Sequence, residues 1–182
     1  MRLFIAIDFP LTNEIIKLQK EIQKITKASI PKTLHLTLKF LGYVSDSNLN
    51  KIINMLKKIT FSEFELKTKE INAFPDINKI NIVYLEIQEN KELLNLKKEI
   101  DLNLIEFKDN YIFKPHITIA RTEHNKKLIA FIKEENKKIN KINENLITSI
   151  KVNSFKLYKS ELTNFGPIYT LINEFKEKNK AE

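Results

Sequence analysis

The chain has 182 residues with no cysteine, 31 Lys+Arg against 23 Asp+Glu, and 42% apolar residues, enough to bury a sizeable core as one globular domain or as two small fused lobes. The missing cysteines exclude disulfides, thiolate metal sites and a cysteine nucleophile and fit a reducing cytoplasm. No apolar run approaches the ~20 residues of a membrane helix, and MRLFIAIDFP has neither a basic leader nor a small-residue cleavage site, so the chain reads as soluble, unprocessed and cytoplasmic.

Leu3 to Ile7 is a short apolar run ended by Asp8 and Pro10 and predicts a buried strand. Ile15, Ile16, Leu18, Ile22 and Ile25 recur at near-helical spacing and predict a helix over Thr12 to Thr26. Pro31 breaks the chain before a second strand, Leu34 to Val44, and Ser45 to Ser47 offers N-cap chemistry for a helix through Ile59. Phe64 to Ile71 and Ile80 to Ile87 predict an antiparallel pair turning at Ala73 to Asp76. A helix over Asn90 to Leu104, a strand from His116 to Arg121, a helix through Leu128, Ile129 and Ile132, a long strand over Ile150 to Tyr158 and a last strand over Tyr169 to Phe175 follow. The strand and helix order recurs, which points to an internal duplication, and antiparallel pairs mixed with helices give an α+β fold. Asn136 to Asn145 is expected to be a mobile loop and the tail from Lys176 to fray.

The net charge of +8 suggests an anionic partner such as RNA, yet 29 of the 31 basic residues are lysines, the pattern of an AT-rich coding bias. Residues that resist the bias therefore stand out. Arg2 and Arg121 are the only arginines, and Gly42 and Gly166 the only glycines.

Two of the three histidines head the same local pattern, His35-Leu36-Thr37-Leu38 and His116-Ile117-Thr118-Ile119. Strand alternation puts His35 with Thr37, and His116 with Thr118, on one face, with the aliphatic residues on the other. Two such strands facing one cleft surround a small anion with two imidazoles and two hydroxyls. That set suits phosphodiester cleavage: a protonated imidazole supplies the departing oxygen, a neutral one takes a proton from water, the threonines bind the developing charge, and no cofactor is needed. A metal site is disfavoured because no Asp or Glu lies within four residues of either histidine. Arg121 is a candidate phosphate contact, since a planar fork suits an oxyanion, but strict alternation puts it on the wrong face unless the strand bulges. Phe4, Phe40, Tyr158 and Lys159 are weaker candidates for nucleotide contact, and His124 is expected in a solvated loop.

The segments MRLFIAIDFP, HLTLKFLG (35–42), KPHITIAR (114–121) and LYKSELTNFGPIY (157–169) resemble the two-histidine phosphoesterases, and within them the RNA 2′,3′-cyclic phosphodiesterases long called 2′-5′ RNA ligases. The resemblance implies a bilobal α+β fold, two antiparallel sheets with helices on the outer faces and a pseudo-two-fold duplication around a central cleft. It also implies His35 as proton donor and His116 as proton acceptor, acting on RNA ends with a 2′,3′-cyclic phosphate or on a cyclic nucleotide; with Thr37, Thr118 and Arg121 as the substrate contacts read above and no metal, the chain is expected to be a monomer. The same acid and base also suit 2′-5′ ligation or hydrolysis, and an RNA-end binding module without turnover is the non-enzymatic alternative. Where the family often has Arg followed by Val-Leu-Trp this chain has Ile82-Val83-Tyr84, a departure expected to lie away from the histidine strands.

Overall fold

The computed structural model describes residues 1–107, 112–141, 148–163 and 166–178. Its elements in chain order are β1 (Arg2–Phe9), α1 (Asn13–Ile25), β2 (Ala28–Ser29), β3 (Leu34–Tyr43), α2 (Asp46–Leu56), β4 (Phe64–Asp76), β5 (Lys79–Ile87), α3 (Lys91–Asn103), β6 (His116–Thr122), α4 (Lys126–Lys141), β7 (Ser149–Val152), β8 (Ser154–Thr163) and β9 (Gly166–Lys176). The Thr12 hydroxyl caps α1 by accepting from Ile15 N, and the Asn90 side chain caps α3 by accepting from Leu93 N. Among the described residues no helix is long and apolar enough to cross a membrane.

The strands run β7-β4-β5-β6-β3-β1-β8-β9, all antiparallel, with β2 added to β6. Two four-stranded halves thus meet at β3 and β6, where Leu36↔Ile117 is the one Cα pair. Elsewhere β3 and β6 pair with β1 and β5 and not with each other. Leu36, Leu38, Ile117 and Ile119 are fully buried on the convex side beneath the helices. The helices sit crosswise: α1 packs behind β6 and α3 behind β3, so each covers the histidine strand of the other half.

Several local expectations change. The predicted turn at Ala73 to Asp76 is strand, and the chain reverses at Ile77 and Asn78, where Asn78 N donates to Asp76 Oδ1 at 2.7 Å. Pro75 is tolerated because β7 pairs only with Phe64 to Lys67, so that among the described residues no strand pairs with the outer edge of β4 at Pro75. The single strand expected over Ile150 to Tyr158 is two, broken at Asn153 where the chain crosses from β4 to β1.

The expected loop from Asn136 is helical to Lys141, with 142–147 outside the described residues. Its anchor is the Asn136 amide, which accepts from Ile71 N (2.9 Å) and donates to Ile71 O (2.8 Å) where β4 shifts register. The tail expected to fray from Lys176 is held as far as Lys178, where Glu177 N donates to Asn153 O and Lys178 N to Phe61 O; 179–182 lie outside the described residues. His124 lies exposed in the loop after β6, as expected, and its Nδ1 also accepts from Ile80 N at 3.3 Å at the start of β5.

Candidate active site

Both histidine strands bulge at the same place. On β6, Tyr84↔Thr118 and Val83↔Ala120 are successive pairs, which leaves Ile119 as an extra residue; on β3, Ala6↔Thr37 and Ile5↔Lys39 leave Leu38 extra. Two consecutive residues therefore turn inward, Ile119 with Ala120 and Leu38 with Lys39, all buried. Over seven residues from each histidine the order of burial is identical.

A helix side chain supports each bulge from behind. Gln19 of α1 donates to the Ile119 carbonyl at 3.0 Å, and the buried Lys39 ammonium meets Asp101 of α3 at 2.8 Å. The bulges reset the phase of alternation, so Phe40 and Arg121 return to the face of His35 and His116. Arg121 is exposed there, and its charge acts on both imidazoles. This is the geometry that strict alternation denied it.

Carrying the antiparallel register one residue either way from Leu36↔Ile117 sets His35 across from Thr118 and Thr37 across from His116. Near the bridge these neighbours are roughly 5 Å apart at the backbone. Imidazole and hydroxyl thus alternate around a four-cornered patch above the Leu36 and Ile117 peptides.

The two imidazoles have different surroundings. Around His35, Phe4 lies 5.2 Å away between ring centroids and Tyr169 meets it edge-on at 5.2 Å. Phe4 is itself packed by Tyr158, Tyr169 and Phe40. Burial pushes His35 down to about 4; the Asp8 carboxylate opposes this, and the charges of His116 and Arg121 add to it.

Asp8 is the residue directly opposite His35 on β1. It is held in place by Tyr158 Oη at 2.6 Å and Lys156 Nζ at 2.7 Å, and Lys156 also approaches Glu174 at 3.7 Å. In sequence Asp8 reads only as a strand end; its role becomes visible once β1 is set against β3.

His116 is fixed from its own strand, its Nδ1–H donating to the Lys114 carbonyl at 2.6 Å, which leaves Nε2 as the lone-pair nitrogen. Burial lowers its pKa; that hydrogen bond opposes the shift, while the Lys114 and Arg121 charges reinforce it. Tyr84 does not lie away from the site as expected. It pairs with Thr118, its ring is 5.2 Å from His116, and it stacks on Phe74 at 4.3 Å. The Lys114 ammonium stands 5.2 Å over both rings.

Glu86 occupies the position opposite His116, as Asp8 does opposite His35. The fold thus brings a carboxylate across from each histidine despite their distance in sequence. Among the described residues, no three His, Asp or Glu side chains converge as a set that would hold a metal ion. Lys159 pairs with Leu3 on the opposite face and forms an ion pair with Glu161 at 3.0 Å, so it is not beside the histidines.

A family model described as LigT-like phosphoesterase matches residues 5–84. The RNA 2′,3′-cyclic phosphodiesterase of Methanocaldococcus jannaschii is 36% identical over 96% of this chain and all of its own length. That of Archaeoglobus fulgidus is 30% identical over 93% of this chain and 96% of its own. Escherichia coli LigT, solved in apo form, superposes with a TM-score of 0.75 over 98% of both chains at 22% identity. The matched residues include β1, with Asp8, and β3, with the first histidine motif, and the full-length relatives extend the likeness through the second; the chain belongs to the LigT-like phosphoesterase family.

Proposed function

We propose that this protein hydrolyses the 2′,3′-cyclic phosphate at RNA ends to a 2′-phosphomonoester, without a metal, using His35 as proton donor and His116 as proton acceptor. The observation that carries the reading is the alternation of two imidazoles and two hydroxyls about the Leu36↔Ile117 bridge. Relatives of nearly full length bear the name of this activity. E. coli LigT, which shares the fold, has been crystallised with 3′-AMP.

In this reading His116 Nε2, left unprotonated by the Nδ1 hydrogen bond to Lys114, takes a proton from the attacking water. The new P–O bond forms as the bond to O3′ breaks, and O3′ leaves with the proton of His35. Thr37, Thr118 and Arg121 bind the non-bridging oxygens as charge grows on them. His35, pushed to about 4 in the open cleft, is mostly neutral at pH 7; the phosphate anion and the Asp8 carboxylate both favour its charged form.

The test is to incubate purified protein, with EDTA, with an oligoribonucleotide ending in 2′,3′-cyclic phosphate and to identify the product. A 2′-phosphomonoester is expected. Longer 2′,5′-joined strands would favour ligation, and a strict requirement for a divalent metal would remove the mechanism.

A further inference from the structure

Beyond the histidine patch, the concave face of the β3-β1-β8-β9 half continues in rows set by register. The first row outward carries Phe40, Phe4 and Tyr158, paired in turn. The next carries Tyr43, Arg2, Ser160 and Tyr169, each paired with its neighbour across four strands. The two rows are two residues apart on β1, roughly 7 Å.

A pocket of about 350 Å³ lies at the strand ends beside this row, lined by Arg2, Tyr43 and Ser160 and also by Lys159 and Glu161, which the register sets on the opposite face. Its one carboxylate, Glu161, is already engaged by Lys159 at 3.0 Å. Tyr43 is 87% exposed, a flat ring offered to solvent beside a guanidinium.

Arg121 acts on both imidazoles and on Tyr169, and Arg2 also acts on Tyr169. Arg121 shares the face of the two histidines, and Arg2, two residues from Phe4 along β1, lies one row further out. In the opposite half the charges near His116 include Glu86 and Glu70, which act on Lys114 and disfavour a polyanion there.

We propose that Arg2 and Tyr43 form a second nucleotide subsite, Arg2 taking the phosphate and Tyr43 stacking on the base of the residue that precedes the cyclic-phosphate end. This rests on the phosphodiesterase reading and narrows it: the substrate is an oligonucleotide terminus in preference to a free cyclic nucleotide. An aromatic platform with a cation beside it binds single-stranded nucleic acid without sequence preference.

The experiment compares 2′,3′-cyclic AMP with the dinucleotide ApA ending in a 2′,3′-cyclic phosphate. The expected kcat/KM ratio is about tenfold or more in favour of the dinucleotide. Arg2→Gln and Tyr43→Ala are each expected to remove most of that preference while leaving cyclic AMP turnover within about twofold, and Tyr43→Phe to retain it. Calorimetric binding of ApA 2′-phosphate against 2′-AMP supplies the same comparison without turnover. A binding preference with no hydrolysis of either substrate would leave the subsite standing and remove the phosphodiesterase reading. Equal binding of the two ligands, or variants that weaken both substrates alike, would overturn the subsite.

Discussion

Replacing Asp8 by Asn tests whether the carboxylate opposite His35 sets the proton supply. Asn keeps the shape and a side-chain oxygen for Tyr158 but removes the charge. Cross-strand neighbours put the carboxylate and imidazole about 6 Å apart, where Coulomb's law gives ~0.7 kcal/mol in water and ~3 kcal/mol at an effective dielectric of 20. Asp8 is 47% exposed and already shared with Lys156, so screening favours the lower part of that range, about 1 kcal/mol, or nearly one pKa unit.

The sign follows from Asp8 favouring the charged imidazole: losing it lowers the His35 pKa further. At pH 7, well above about 4, the protonated fraction falls in proportion, so kcat/KM is expected to drop roughly fivefold. Titrating the imidazole resonances by NMR in wild type and Asp8→Asn gives the second readout, with the His35 midpoint moving down and that of His116 little changed. A His35 midpoint that stays in place, or a kcat/KM at pH 7 within twofold of wild type, would refute Asp8 as the group that favours its proton.

Alanine at either His35 or His116 is expected to cost on the order of 10²- to 10⁴-fold in kcat with the circular dichroism spectrum unchanged. Thr37→Val and Thr118→Val are expected to lower kcat more than they raise KM, by roughly 2 to 4 kcal/mol per hydroxyl and less where water fills the gap, measured under steady-state turnover. Gln19→Leu removes the donor from the Ile119 carbonyl at the β6 bulge and is expected to cost about 1 to 3 kcal/mol in urea unfolding. Folding stability is expected to fall as pH drops from 6.5 toward about 4, because the unfolded His35 takes up a proton that the folded one resists. That slope should be shallower in His35→Ala.

The periodic elements and the two histidine motifs were legible in the sequence because each is local: a strand face or a helix stripe is decided within a few residues. What joins distant segments was not. Asp8 and Glu86 become neighbours of His35 and His116 only through strand pairing, and nothing local to Thr37 or Thr118 announces a bulge one residue later. The inward Lys39, a charged residue in a core position, is the trace the β3 bulge leaves in the sequence. The hydrogen bonds of His124 and Asn136 were not legible because their backbone partners, Ile80 and Ile71, lie more than forty residues away.

The N-terminal strand lies inside its half, with β3 on one edge and β8 on the other, so that Arg2 pairs with both Tyr43 and Ser160. One of those neighbours, β3, leaves the ribosome soon after β1, and the other, β8, only after well over a hundred further residues. Until β8 arrives, β1 carries an open hydrogen-bonding edge flanked by Leu3, Ile5 and Ile7, the kind of apolar strand that invites pairing with another chain. Long sequence separation between paired strands also makes folding slow. The topology that places β1 between β3 and β8 therefore leaves the nascent chain dependent on a strand made much later for protection against aggregation.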